Sequence, residues 1–155
     1  MRRSVVLAAL ALLGGPLSVA GESGSDYSWA VAVLPSGREF KLEIADDPAS
    51  RWRGYRYRER LPADEGMLFI FPVEQLQSFE MRDCLVALDI IFLDGDMRVV
   101  EIAHDQQPCP AGGSCPPIQP MQQARFVLEI AGGSARREGL EPGDRVSVLA
   151  EPPIP

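Results

Sequence analysis

The sequence predicts an all-β domain, a barrel or sandwich that is mainly β with one or two short helices. Three observations carry this. Apolar residues recur with period two in short runs, the runs are bounded by Gly, Pro, Asp and Ser, and only one segment carries a clear helix start. At 155 residues the chain is long enough for one domain with a real core and small for two. Neither an internal repeat nor an interdomain linker is visible.

The elements follow in order from Tyr27. "WAVAVLP", the turn at Ser36-Gly37 and "REFKLEIA" form a hairpin in which Phe40, Leu42 and Ile44 share one face. A helix should start at Asp46 or Asp47, with Pro48 in its first turn, and run to about Arg58, carrying its arginines toward the C-terminal end that the macrodipole favours. Gly54 in its middle costs about 1 kcal/mol against Ala, which suggests close packing. "GMLFIF", apolar on both faces and ending at Pro72, reads as a central strand. "SFEMR" and "LDIIFLD" are further strands, and Asp94-Gly95-Asp96 turns the latter into "MRVVEIA". "ARFVLEIA" is another strand, "GGSARREGL" a short helical turn, and "EPGD" leads into a last strand, "RVSVLA". The tail "EPPIP", residues 151–155, has too many prolines to extend a sheet.

The N-terminus points to export. Arg2 and Arg3 precede an apolar stretch from Val5 to Leu13, a Gly-Gly-Pro break, and Ser18-Val19-Ala20, which fits a signal peptide over residues 1–20 cleaved after Ala20. The apolar run is too short for a membrane anchor, since a span takes roughly 20 residues. The expected mature protein is periplasmic or secreted, with a flexible stretch at 21–26, one β domain over 27–150 and no membrane span. Cleavage takes the formal charge from −7 to −9, which argues against nucleic acid and anionic lipid as partners of the whole molecule.

Export makes pairing the first question for the three cysteines. Cys109 and Cys115 lie six positions apart in "PCPAGGSCPP", a spacing that is neither zinc-knuckle nor thioredoxin-like. A disulfide between them is expected, stabilising the fold by about 2 kcal/mol and pinning a Pro/Gly loop. Cys84 stays unpaired.

"EGMLFIF" at Glu65–Phe71, "SFEMRDC" at Ser78–Cys84, "LDIIFLDGDMRVV" at Leu88–Val100, the Pro-Cys loop, and "FVLEIAGG" followed by "GLEPGD" occur in an order that resembles the domain of unknown function 192 family. The resemblance runs through nearly the whole mature chain. It implies a jelly-roll-like, mainly β domain, often exported, with no established activity. Two places depart from the family's usual pattern. Gly54-Tyr55-Arg56 stands where the family reads Gly-Leu-Met, and Phe79-Glu80-Met81-Arg82-Asp83-Cys84 where it reads Phe-Trp-Met-Lys-Asn-Thr.

Candidate site residues are those that break apolar patterns. Asp89 interrupts "VALDIIFL" and Glu129 interrupts "FVLEIA"; buried acids need partners or shift their pKa upward. With Met81, Arg82 and Asp83 they could converge on a pocket for a small polar ligand, with Tyr55, Arg56 and the cysteine loop as its rim. A hydrolase using Asp89 and Glu129 as an acid/base pair is the rival from another class. The plainer alternative turns both acids toward solvent or an arginine. "RWRGYRYRER" interleaves arginine with aromatics and could hold an anionic envelope component, yet helical spacing would equally separate a solvated face (Arg53, Tyr57, Arg60) from a packed one (Trp52, Tyr55, Glu59). Met67, Met81, Met97, Met121, His104 and the cysteines include soft copper ligands, but no Met-x-x-Met or His-x-His cluster is present. Catalysis by Cys84 with His104 has nothing in sequence to orient the pair. The expected protein is a monomeric binding or accessory module of the cell envelope, without cofactor or metal.

Overall fold

A computed structural model describes residues 29–150. The expected signal peptide (1–20), the stretch 21–26 and the tail 151–155 lie outside the described residues.

The chain opens with the expected hairpin, β1 (Trp29–Val33) and β2 (Glu39–Ala45). Gly37 takes φ 86° in its turn, which closes through Leu34 N–H on Arg38 O and Gly37 N–H on Leu34 O. Phe40, Leu42 and Ile44 are buried together. Helix α1 (Pro48–Arg53) starts as predicted, with Asp47 as N-cap accepting from the amides of Ala49 and Ser50, and Ser50 Oγ returning the capping box. It ends five residues earlier than expected. Gly54 is its C-cap at φ 47°, with a Phe69 ring carbon 3.4 Å from where a Cβ would sit, so the backbone leaves the helix there. Helical face separation therefore fails beyond Arg53: Tyr55 is buried, while Trp52 is 69% exposed.

Strand β3 (Glu65–Gln75) pairs parallel with β2 across the α1 crossover. It continues past Pro72 because the register against the next neighbour shifts between Ile70 and Gln75, leaving the proline outside the ladder. "SFEMR" is not a strand. It contributes only a bridge between Phe79 and Ile118, and otherwise forms a loop over the sheet. Strands β4 (Leu88–Leu93) and β5 (Val99–Gln106) make the second hairpin, followed by β6 (Ala124–Ala131), α2 (Ser134–Arg137) and β7 (Ser147–Ala150).

One mixed sheet runs in the order β5-β4-β6-β3-β2-β1-β7. This corrects the expected barrel. The order has two ends, and β5 and β7 meet only through the isolated bridge between Arg98 and Arg145 and the amides flanking it. β7 is four residues long, and the Val99 amide finds the carbonyl of Asp144, in the turn before β7, rather than a strand. The result is an open, sandwich-like sheet.

Its two faces carry separate cores. On one, Phe40, Leu42, Leu68, Ile91, Leu128 and Ile130 pack with Val146 and with Ala135 and Leu140 around α2. On the other, Met67, Phe69, Ile90, Phe92 and Val127 are covered by loops bearing Tyr55, Phe79, Met81 and Cys84, and by the Cys109–Cys115 bridge. At the centre, β3 and β6 approach so closely that a Cβ on Gly66 would lie 2.5 Å from the carbonyl oxygen of Glu129. No helix among the described residues is long and apolar enough to cross a membrane.

Candidate functional site

Glu129 lies in the middle of β6, directly opposite Met67 on β3 and Ile90 on β4. Antiparallel pairing puts all three side chains on the loop-covered face. There Glu129 is only 5% exposed and opens on a cavity of about 370 Å³, bounded by the aromatic residues Trp52, Tyr55, Phe69, Phe71 and Phe79, by Arg51, Arg56 and Glu80, and by Cys84 and Pro117. Its Oε2 is buried without a hydrogen-bond partner among the described residues. Burial pushes the carboxyl up from 4.5 to about 8, against the opposing charges of Arg58 and Arg56. Those arginines are engaged elsewhere. Arg58 makes a bidentate pair with Glu43 at 2.7 and 2.9 Å, and Arg56 bonds Glu80 at 3.0 Å and Asp83 at 3.5 Å. At neutral pH the floor of the pocket is therefore mostly a carboxylic acid with a proton to donate.

The walls follow from local geometry. Because α1 stops at Gly54, the chain drops Tyr55 into the core and lets Arg56 bridge to Cys84. The Arg58 guanidinium stacks 4.9 Å from the Tyr55 ring centre, and Arg56 lies 5.3 Å from that of Trp52. Phe79 packs edge-on against Phe69, Phe71 and Phe92, which fixes the loop over the sheet. The hydrogen bond from Arg56 holds the Glu80 carboxyl below the usual range.

The structure separates the sequence-predicted site residues into groups. Glu129, Tyr55 and Arg56 share the pocket. Asp83 acts from outside it, accepting from Arg56 and from the Tyr57 hydroxyl at 3.0 Å. Arg82 is exposed and pairs with Glu80 at 3.3 Å, and Met81 is a core residue whose carbonyl receives the Cys84 and Cys109 amides. Asp89 does not join Glu129. It pairs with Ile130 in the register, one step from Glu129, and so lies on the opposite face of the sheet. There its carboxylate accepts from the amides of Asp105, Gly133 and Ala135 at 2.7, 3.0 and 2.7 Å. The acid/base pair on which a hydrolase reading depends is not formed.

Glu80, Cys84 and Trp52 also line the pocket, although the sequence reading did not name them among its site residues. A signal existed. Tyr55, Arg56, Glu80 and Cys84 all stand at the positions where the chain departs from the pattern it resembles, and two of them, Arg56 and Glu80, are ion-paired to each other. No group of three or more His, Cys, Asp or Glu among the described residues could hold a metal ion.

Cys109 and Cys115 are bonded, with α-carbons 5.5 Å apart, and Cys84 is free and buried, its thiol pushed up to about 11 mainly by burial. Thiol labelling of the native, non-reduced protein should therefore modify none of the three, and unfolding without reductant should expose one. Two or three labelled thiols would disprove the pairing.

A small, mainly β domain with an open mixed sheet and an acid-floored pocket under its loops is the class that this geometry defines. The chain belongs to the DUF192 family, described as "Uncharacterized ACR", whose profile matches residues 31–148. A protein of unknown function from Novosphingobium aromaticivorans DSM 12444 is 34% identical, over 77% of this chain and 83% of that one, with a TM-score of 0.69. A protein from Sinorhizobium meliloti 1021, described as a "putative transcription regulator", is 29% identical over 83% of this chain and 98% of its own, with a TM-score of 0.70. No curated protein matches the chain.

Proposed function

We propose that the protein is an exported binding or accessory module of the cell envelope, periplasmic or secreted, whose pocket takes a small polar ligand at Glu129. One observation carries this reading: a carboxyl oxygen buried without a partner beside a cavity. Leaving such a group unsatisfied costs about 1–3 kcal/mol, and a ligand that accepts the Glu129 proton would recover it. The aromatic walls favour a ligand with a flat or apolar portion next to that polar group. The net charge of −7 supports a small molecule over nucleic acid, so the regulator description of the Sinorhizobium meliloti protein is not carried over.

Native mass spectrometry of protein taken from its own periplasm tests the reading. The expected spectrum has a chain beginning at Gly21 with one organic adduct, and the Glu129→Gln variant loses the adduct while staying folded. A wild-type spectrum without an adduct, or an adduct that survives the substitution, overturns the pocket assignment, and full-length chain retained in the membrane overturns export.

A further inference from the structure

A second cavity shares no residue with the Glu129 pocket. It is a cleft of about 1070 Å³ where the sheet fails to close, between the β1–β7 end and the turn linking β4 to β5. Three cations line it, Lys41, Arg125 and Arg145, against one acid, Asp96. The described ion pairs involve Arg56, Arg58 and Arg82, and none of these three. Lys41 Nζ sits 4.0 Å from the Trp29 ring centre, but none of the three has a carboxylate partner among the described residues, and in a chain with seven more acids than bases three such cations on one cleft are a local reversal of charge. Arg125 adds a separate observation: its Nε is buried and has no hydrogen-bond partner among the described residues, while its guanidinium lies 5.3 Å from the Phe126 ring centre. The same cleft reaches the edge of the first core, at Phe126 and Val146, with Met97 packed against it.

We propose that this cleft binds an anionic amphiphile, a carboxylate or phosphate carried on a single apolar chain. The anion pairs with the guanidinium of the half-buried Arg125, with Lys41 and Arg145 adding attraction, and the apolar chain lies against Phe126, Val146 and Met97. A headgroup alone would leave that apolar lining wet, and a chain without charge would leave the arginine unsatisfied.

Isothermal titration calorimetry on the full purified protein tests this with dodecanoate and dodecyl phosphate, each below its micelle concentration, and with dodecyltrimethylammonium as the opposite charge on the same chain. One anion or both should bind at a single site, and whichever binds more tightly identifies the headgroup. The cationic amphiphile should not bind. Arg125→Gln should weaken anion binding about tenfold or more, as expected for losing a charge-assisted hydrogen bond. Arg145→Gln, at an exposed side chain, should weaken it about two- to fivefold. Equal binding of the cationic amphiphile, no binding by either anion, or unchanged affinity in the Arg145 variant and in a folded Arg125 variant would overturn the assignment. Glu129→Gln should leave this binding unaltered, so failure here and failure of the pocket reading are separable.

Discussion

Replacing Asp89 with Ala is expected to destabilise the fold by about 3–5 kcal/mol, the range for removing a buried charged acceptor from several donors. Asp89 is fully buried and serves three backbone amides from two segments, Asp105 in β5 and Gly133 and Ala135 at the start of α2. The reason is local. The N-cap position of α2 is Gly133 at φ 77°, which has no side chain to cap the turn, so a carboxylate from the neighbouring strand supplies the acceptor. For a domain of this size the loss corresponds to a fall in Tm of about 10 °C or more. Asp89→Asn should cost less. An amide oxygen in place of Oδ1 still accepts from Asp105 and Gly133, while its NH2 opposes the Ala135 amide. Melting curves of the two variants, with adduct retention measured alongside, distinguish this structural role from a ligand role. A variant that melts normally but loses the adduct would contradict it.

The two acids show how far sequence can be read. Asp89 and Glu129, both buried in the fold, present the same local signal, one carboxylate inside an apolar strand, which left burial and a turn toward solvent or an arginine both open. It could not say which would find donors. Those of Asp89 come from residues 16 to 46 positions away, and the two side chains part because adjacent register positions face opposite sides of the sheet. Period-two runs located the hairpins and β6, since alternation is a property of the run itself. The length of α1 escaped because its end depends on Gly54 packing against Phe69, a contact made only in the folded chain. "SFEMR" looked like a strand because Phe79 and Met81 are core residues. They are covering the sheet from a loop, and burial alone does not distinguish the two arrangements. Closure was equally hidden, since nothing in "RVSVLA" says that its four-residue strand would lack a partner on one side.

Glu129 carries the complementary expectation, that the wild-type protein loses stability as pH rises through neutrality. Its carboxyl is raised by burial from 4.5 to about 8, so the folded state resists an ionisation that the unfolded chain accepts. Below about pH 4.5 the acid is protonated in both states and this group costs nothing. Between about pH 4.5 and 8 the unfolded chain releases its proton first, and the fold loses on the order of 5 kcal/mol across the interval; above about 8 both states are ionised and the loss levels off. Glu129→Gln does not titrate, so its denaturant-unfolding free energy should lack this slope, whatever constant offset the amide introduces. Parallel pH profiles for the two proteins would show that Glu129 ionises freely in the fold, and the neutral donor assigned to the pocket would go with it. The direction of the effect is itself informative. An unpartnered acid at the centre of β6 weakens the fold as it ionises, and a second methionine opposite Met67 would not. Such a locally unfavourable group is expected where stability has been given up for binding, and a ligand that accepts the Glu129 proton selects the protonated form, so the stability it adds should be greatest below about pH 8 and fade as the acid ionises above it.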